Sequence, residues 1–126
     1  MGQAAKVSAE WVETALDTKR VTADDLNRVI RAYGTRPAET LFIDAEPVKS
    51  FAPDAIPHAV ESFARLHRRH GLARIVAILR SPVVRMGAAT VSMSLRSMQA
   101  PVEIVVVGDR DEARRLLERP TGRRPS

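Results

Sequence analysis

A few histidines, carboxylates, arginines and methionines are the residues of this 126-residue chain whose types and spacing could do chemistry. His67 and His70 stand one helical turn apart, which lets two imidazoles reach one metal ion. No third ligand stands at a matching spacing, and histidines among arginines at a helix C-terminus also serve by complementing the helix dipole. His58 and Glu61 are three apart, as a general base and its orienting carboxylate would be on a helix. No Ser lies in a Gly-flanked nucleophile elbow, and no Gly-rich phosphate loop occurs, so a surface hydrogen bond is the plainer use of that pair. Asp44 and Glu46 follow an apolar run, and α/β folds gather functional carboxylates at strand C-termini. A structural partner, a backbone amide or an arginine, is the other reading of Asp44. Arg80 and Arg85 flank a prolyl turn at a helix start, where an anion can be held. Met86 and Met93 stand off the core stripe of their helix and suit an adaptable interface, whereas Met98 falls on that stripe.

The elements that must position these groups follow from periodicity. Trp11 to Leu16 fits two patterns. With period two, Val12, Thr14 and Leu16 share a strand face; with period 3.6, Val7, Trp11 and Ala15 share a helix face with Ser8 as cap. Thr22 to Gly34 predicts a helix, with Thr22 and Asp25 in capping-box positions, an apolar stripe of Leu26, Val29, Ile30 and Tyr33, and Gly34 as its left-handed stop. Thr40 to Ala45 predicts an interior strand. The next helix cannot start at Pro53, because Pro57 would then remove an intrahelical bond. With Asp54 as N-cap, Pro57 is the third helical residue and loses nothing. That helix runs to His70 and stops at Gly71, burying Ile56, Val60, Phe63 and Leu66 or His67. Arg74 to Leu79 predicts a second strand. Ser81 and Pro82 open a helix reaching about Gln99, with Val84, Ala88, Val91, Leu95 and Met98 as its core stripe. Val102 to Val107 predicts a third buried strand, and Asp109 with Glu112 caps a last helix docked by Ala113, Leu116 and Leu117. Single helices between strands imply right-handed crossovers and a largely parallel sheet.

Composition bounds the rest. The length fits one domain, here 11–118, with 1–10 as a flexible lead-in and 119–126, rich in Arg and Pro, as a disordered basic tail. The chain has no cysteine, which excludes disulfides, thiolate nucleophiles and sulfur-based zinc sites. No apolar run approaches the roughly 18 residues of a membrane span, and the N-terminus has neither the apolar core of a signal peptide nor a myristoylation pattern. A soluble cytoplasmic protein is expected. The net charge of +5 could attract phosphate, but one Trp, one Tyr and three Phe leave few rings for base stacking, so nucleic acid is not the expected partner.

Arg20-Val-Thr-Ala-Asp-Asp-Leu resembles an early strand end entering a first helix. Leu41-Phe-Ile-Asp-Ala-Glu-Pro-Val-Lys-Ser-Phe resembles a strand and loop written apolar-apolar-apolar-Asp-x-x-x-Val. Ser81-Pro-Val-Val-Arg-Met-Gly-Ala, Val102-Glu-Ile-Val-Val-Val and Asp111-Glu-Ala-Arg-Arg-Leu-Leu resemble a second half. Together they resemble the STAS-like domains, the fold of bacterial anti-sigma factor antagonists, over residues 11–118. The resemblance implies an α/β fold with a mixed four- to five-stranded sheet and helices packed on it, a strand or hairpin at residues 11–20, and protein binding without catalysis or cofactor. Regulatory members carry Asp-Ser-Ser-Gly at a helix start, with a serine phosphorylated by a partner kinase. Ala52, Pro53, Asp54 and Ala55 stand at those positions here, so Asp54 takes the phosphoacceptor's place and Ser50 is the nearest hydroxyl. The expected function is a bacterial regulatory module that binds a protein partner (kinase-like, a sigma-factor regulator, a motility regulator, or a second copy). Its face comprises Ser50, Pro53, Asp54, His58, Arg85, Met86 and Met93. The alternatives are a small-ligand or lipid-binding domain with an anionic group at Arg80 or Arg85, and a small enzyme using Asp44, His58 or Glu61.

Overall fold

The structure is a computed structural model and describes residues 11–118; the lead-in and the tail lie outside them. Strand β1 (Trp11–Ala15) is followed by a short β2 (Arg20–Val21), helix α1 (Ala23–Thr35), β3 (Thr40–Asp44), a short β4 (Ser50–Phe51), α2 (Ala55–His70), β5 (Arg74–Ile78), α3 (Pro82–Ser97), β6 (Glu103–Val107) and α4 (Arg110–Leu117). The ambiguous segment at Trp11 is therefore a strand, and Val12, Thr14 and Leu16 share its face toward the helices.

The main sheet has the order β1-β3-β5-β6, with Trp11 opposite Thr40, Thr40 opposite Arg74 and Arg74 opposite Glu103. β2 and β4 form a separate pair. The resemblance implies a mixed sheet, but every pairing among the described residues is parallel. Each strand lies beside the one before it, so the right-handed crossovers all step the same way and put α1, α2 and α3 on one face. Leu41, Ile43, Ile75 and Ala77 meet those helices in the main core, while Phe42, Val76, Ile78 and Val107 meet α4 on the other face. The period-two alternation of the strands makes both cores from the same residues' neighbours.

The helix signals act largely as their chemistry requires. The Thr22 hydroxyl accepts from the Asp25 amide and the Asp25 carboxylate accepts from the Thr22 amide, closing a capping box. The Thr22 amide first, then the Thr22 hydroxyl donating to the carboxylate and the Arg28 guanidinium, hold the Asp25 carboxyl below its ordinary range. Gly71, at φ 76°, ends α2.

Several expectations are corrected. Gly34 is not a stop: α1 continues to Thr35, and the Arg36 amide closes the turn on the Tyr33 carbonyl while the buried Tyr33 hydroxyl donates to the Ala38 carbonyl. Asp54 does mark the boundary of α2, but its side chain caps nothing, because its backbone is already helical (φ −85°, ψ −9°) and Pro57 has no amide to offer at the third position. Ser81 likewise makes no side-chain cap bond. Met98 is not core: α3 ends at Ser97, Gln99 turns the chain at φ 58°, and Ala100 takes the buried place. β6 is not a buried strand but the sheet's edge, with Glu103 exposed and Ile104 to Val106 half-buried.

Candidate functional site

The loop from β4 into α2 is held at both ends. β4 pairs with β2, and the Ala52 amide donates to the Val21 carbonyl at 2.8 Å. The Phe51 ring then lies against α3 where Gly87 leaves space: a Cβ at Gly87 would sit 2.5 Å from that ring and 3.2 Å from Cδ1 of Ile56. Only a glycine lets the helix backbone approach so closely. This contact joins the start of α2 to the first half of α3, so two segments some thirty residues apart become one surface.

On that surface Pro53 and Asp54 are exposed, Ser50 is half-buried, and Ala52 and Ala55 are buried. Among the described residues the Asp54 carboxylate has no hydrogen-bond or ion-pair partner, and it stands at the positive end of the α2 dipole. Val83 and Met86 on α3 are exposed, Met86 by 71%. The other expected members turn elsewhere. His58 is directed to α1, its Nε2 2.7 Å from Oδ1 of Asn27. Arg85 folds back, its Nε donating to the Leu79 carbonyl at 2.8 Å. Met93, exposed by 66%, borders the groove between α3 and β6, which Arg85 also lines. Of the seven expected residues, Ser50, Pro53 and Asp54 adjoin at the α2 start, Met86 stands exposed on α3, Arg85 and Met93 line the groove on the far side of α3, and His58 turns to α1.

The candidates for catalysis are dispersed. Asp44 Oδ2 accepts from Nη2 of Arg110 at 3.1 Å and Oδ1 from the Glu46 amide at 3.2 Å, the structural use of that residue. Arg110 also lies 5.6 Å over the Phe42 ring, on the α4 face of the sheet, whereas His58 lies between α1 and α2 on the other face. Glu61 is exposed and is not the partner of His58. Arg80 is bound to Glu46 at 2.7 Å, so it and Arg85 do not converge on an anion at the start of α3. Nδ1 of His67 is 2.8 Å from the Leu72 carbonyl, and the His70 ring meets Tyr33 edge-on at 6.0 Å. Among the described residues no three metal-ligating side chains come together. The main core holds a partly open cavity of about 60 Å³ with a wholly apolar wall that includes Ile43, Phe51, Phe63 and Val91.

Four features escaped the sequence. Asn27 orients His58, Arg110 ties α4 to β1 and β3, the Phe51–Gly87 contact fuses two segments, and Arg74 is buried with its Nε 3.2 Å from Oγ1 of Thr40. Each is a contact between residues far apart in the chain, and the one local hint was a glycine inside an otherwise good helix.

No protein-family model, curated protein or solved structure matches this chain. What the geometry defines over the described residues is an α/β fold with a parallel four-stranded sheet, three helices on one face and one on the other. No helix among the described residues is long and apolar enough to cross a membrane.

Proposed function

We propose that this chain is a non-catalytic, STAS-like regulatory module of the bacterial cytoplasm that binds a protein partner at the start of α2 and the adjoining turns of α3. The observation that carries this reading is the Phe51–Gly87–Ile56 contact. It brings the exposed Pro53 and Asp54 of the α2 start together with the first turns of α3, which carry the exposed Val83 and Met86. Asp54 there acts as a fixed negative charge in the place where regulatory STAS proteins carry a phosphorylated serine. The partner is a kinase-like protein or a regulator of sigma factors or motility, as the resemblance implies.

The strand order supports binding over catalysis. In open α/β sheets ligands collect where the strand order reverses and adjacent loops part. The described strands run in simple succession and have no such reversal point. The apolar cavity is far below the roughly 300 Å³ of the smallest usual ligand pockets, which weighs against the lipid-binding alternative.

Affinity capture from the native lysate tests the proposal. A protein recovered by the wild type and lost with Asp54→Arg and Met86→Glu, both still folded by circular dichroism, is the expected result. Identical recoveries would sink it, and a co-purified small molecule seen by native mass spectrometry would favour the ligand-binding alternative.

A further inference from the structure

The far side of α3 carries a second surface that does not depend on the reading above. β6 ends the sheet, and among the described residues nothing pairs with its outer edge. In a parallel ladder successive residues direct their amide and carbonyl alternately inward and outward. The Glu103 amide donates inward to the Ala73 carbonyl, and the Val107 carbonyl accepts inward from Leu79. Ile104 and Val106 therefore present their N–H and C=O groups outward. Edge strands are ordinarily blunted by lysine, proline or a bulge. The sequence of β6, Glu-Ile-Val-Val-Val, contains neither residue, and four of its five positions are β-branched.

The side chains of Ile104 and Val106 face α3, and with Ala89, Ser92 and Met93 they line a groove running along the edge. Arg85 borders one end of it, and Arg96 lines its continuation beside Glu103 at the other. Residues 85, 89, 92 and 96 share one face of the helix, and the two arginines stand three turns apart, about 16 Å. α3 carries no acidic residue to answer them. Among the described residues neither arginine makes an ion pair.

We propose that β6 and α3 together bind an extended segment of a partner protein by strand addition. The segment lies on the Ile104–Val106 edge and directs acidic, apolar and acidic side chains at i, i+2 and i+4 toward α3. Acidic residues four apart in a strand are separated by about 13 Å, close to the spacing of the two arginines, and Arg85 keeps its terminal nitrogens for the segment while its Nε is bound to the Leu79 carbonyl. The apolar residue between them meets Ala89 and Met93. Backbone pairing supplies affinity and the charged ends set specificity.

The test is a proton–nitrogen NMR titration of the full chain with the capped heptapeptide Thr-Glu-Thr-Val-Thr-Glu-Thr. The Ile104 and Val106 amides are expected to move and that of Val105 to stay. Replacing both glutamates of the peptide by lysine, or Arg96→Glu in the protein, is expected to weaken binding about tenfold. Val106→Pro removes an outward amide that the sheet does not use, so the fold persists while binding is lost. Asp54→Arg is expected to bind as the wild type does, which separates this surface from the one at α2. Equal binding of the lysine peptide, no shift at the two edge amides, or the same shifts produced by the protein's own dimerisation would each overturn the proposal.

Discussion

Asp54 and Asp109 hold the same formal position, the residue before a helix, and differ in what their side chains do. Asp109 has an extended backbone and accepts from the Glu112 amide at 2.9 Å, while Glu112 reaches back to the Gly108 amide. Asp54 is helical in its own backbone and bonds nothing. Asp109→Ala should therefore lower stability by about 1 kcal/mol in urea unfolding, and Asp54→Ala should change it by no more than about 0.5 kcal/mol. A carboxylate that can be removed without cost to the fold is free to serve recognition. Asp25 gives a pH signature. Its folded pKa is depressed, so it stabilises fully above its unfolded value of about 4 and that contribution is lost as pH falls through the folded value. Asp25→Asn should cost about 1 kcal/mol at pH 7 and markedly less at pH 2.5, by denaturant titration at both.

At the scale of elements, the junction of β4, α2 and α3 depends on Gly87. An alanine there would gain up to about 1 kcal/mol in helix propensity. Its Cβ would fall 2.5 Å from the Phe51 ring, however, and overpacking of a filled site costs about 1–3 kcal/mol. Gly87→Ala should thus destabilise, and adding Phe51→Leu should recover part of the loss, a coupling read from a double-mutant cycle. This junction also shows why the sequence revealed the elements better than the site. Capping pairs such as Thr22 with Asp25, the apolar runs of β3 and β5, and the proline argument that starts α2 at Asp54 are all local, and local signals survive in a single sequence. That Phe51 would meet Gly87, that Asp44 would be bound by Arg110, or that β6 would lie at the edge depends on how the crossovers stack. Periodicity carries no such information: Met98 lies on the core stripe by count and is exposed because α3 stops one residue earlier.

In the molecule as a whole the two faces of the sheet are unequally covered. Three helices close one face, and among the described residues the eight-residue α4 alone covers Phe42, Val76, Ile78 and Val107 on the other, through Ala113 and Leu117. Leu117→Ala removes a buried anchor and should cost about 2 kcal/mol or more in thermal unfolding, and it should raise binding of a hydrophobic dye before the main transition. The consecutive strand order makes this asymmetry a matter of time as well as of space. A chain leaving the ribosome N-terminus first can lay each strand against the one just made, and needs no later segment to be threaded between earlier ones. The Asp54 edge is complete once α3 has emerged, and β6 then brings Ile104 and Val106 under α3. Among the described residues the opposite side gains its cover only when α4 is released, so the nascent molecule can already form its Asp54 edge while it still exposes the apolar face that α4 will seal.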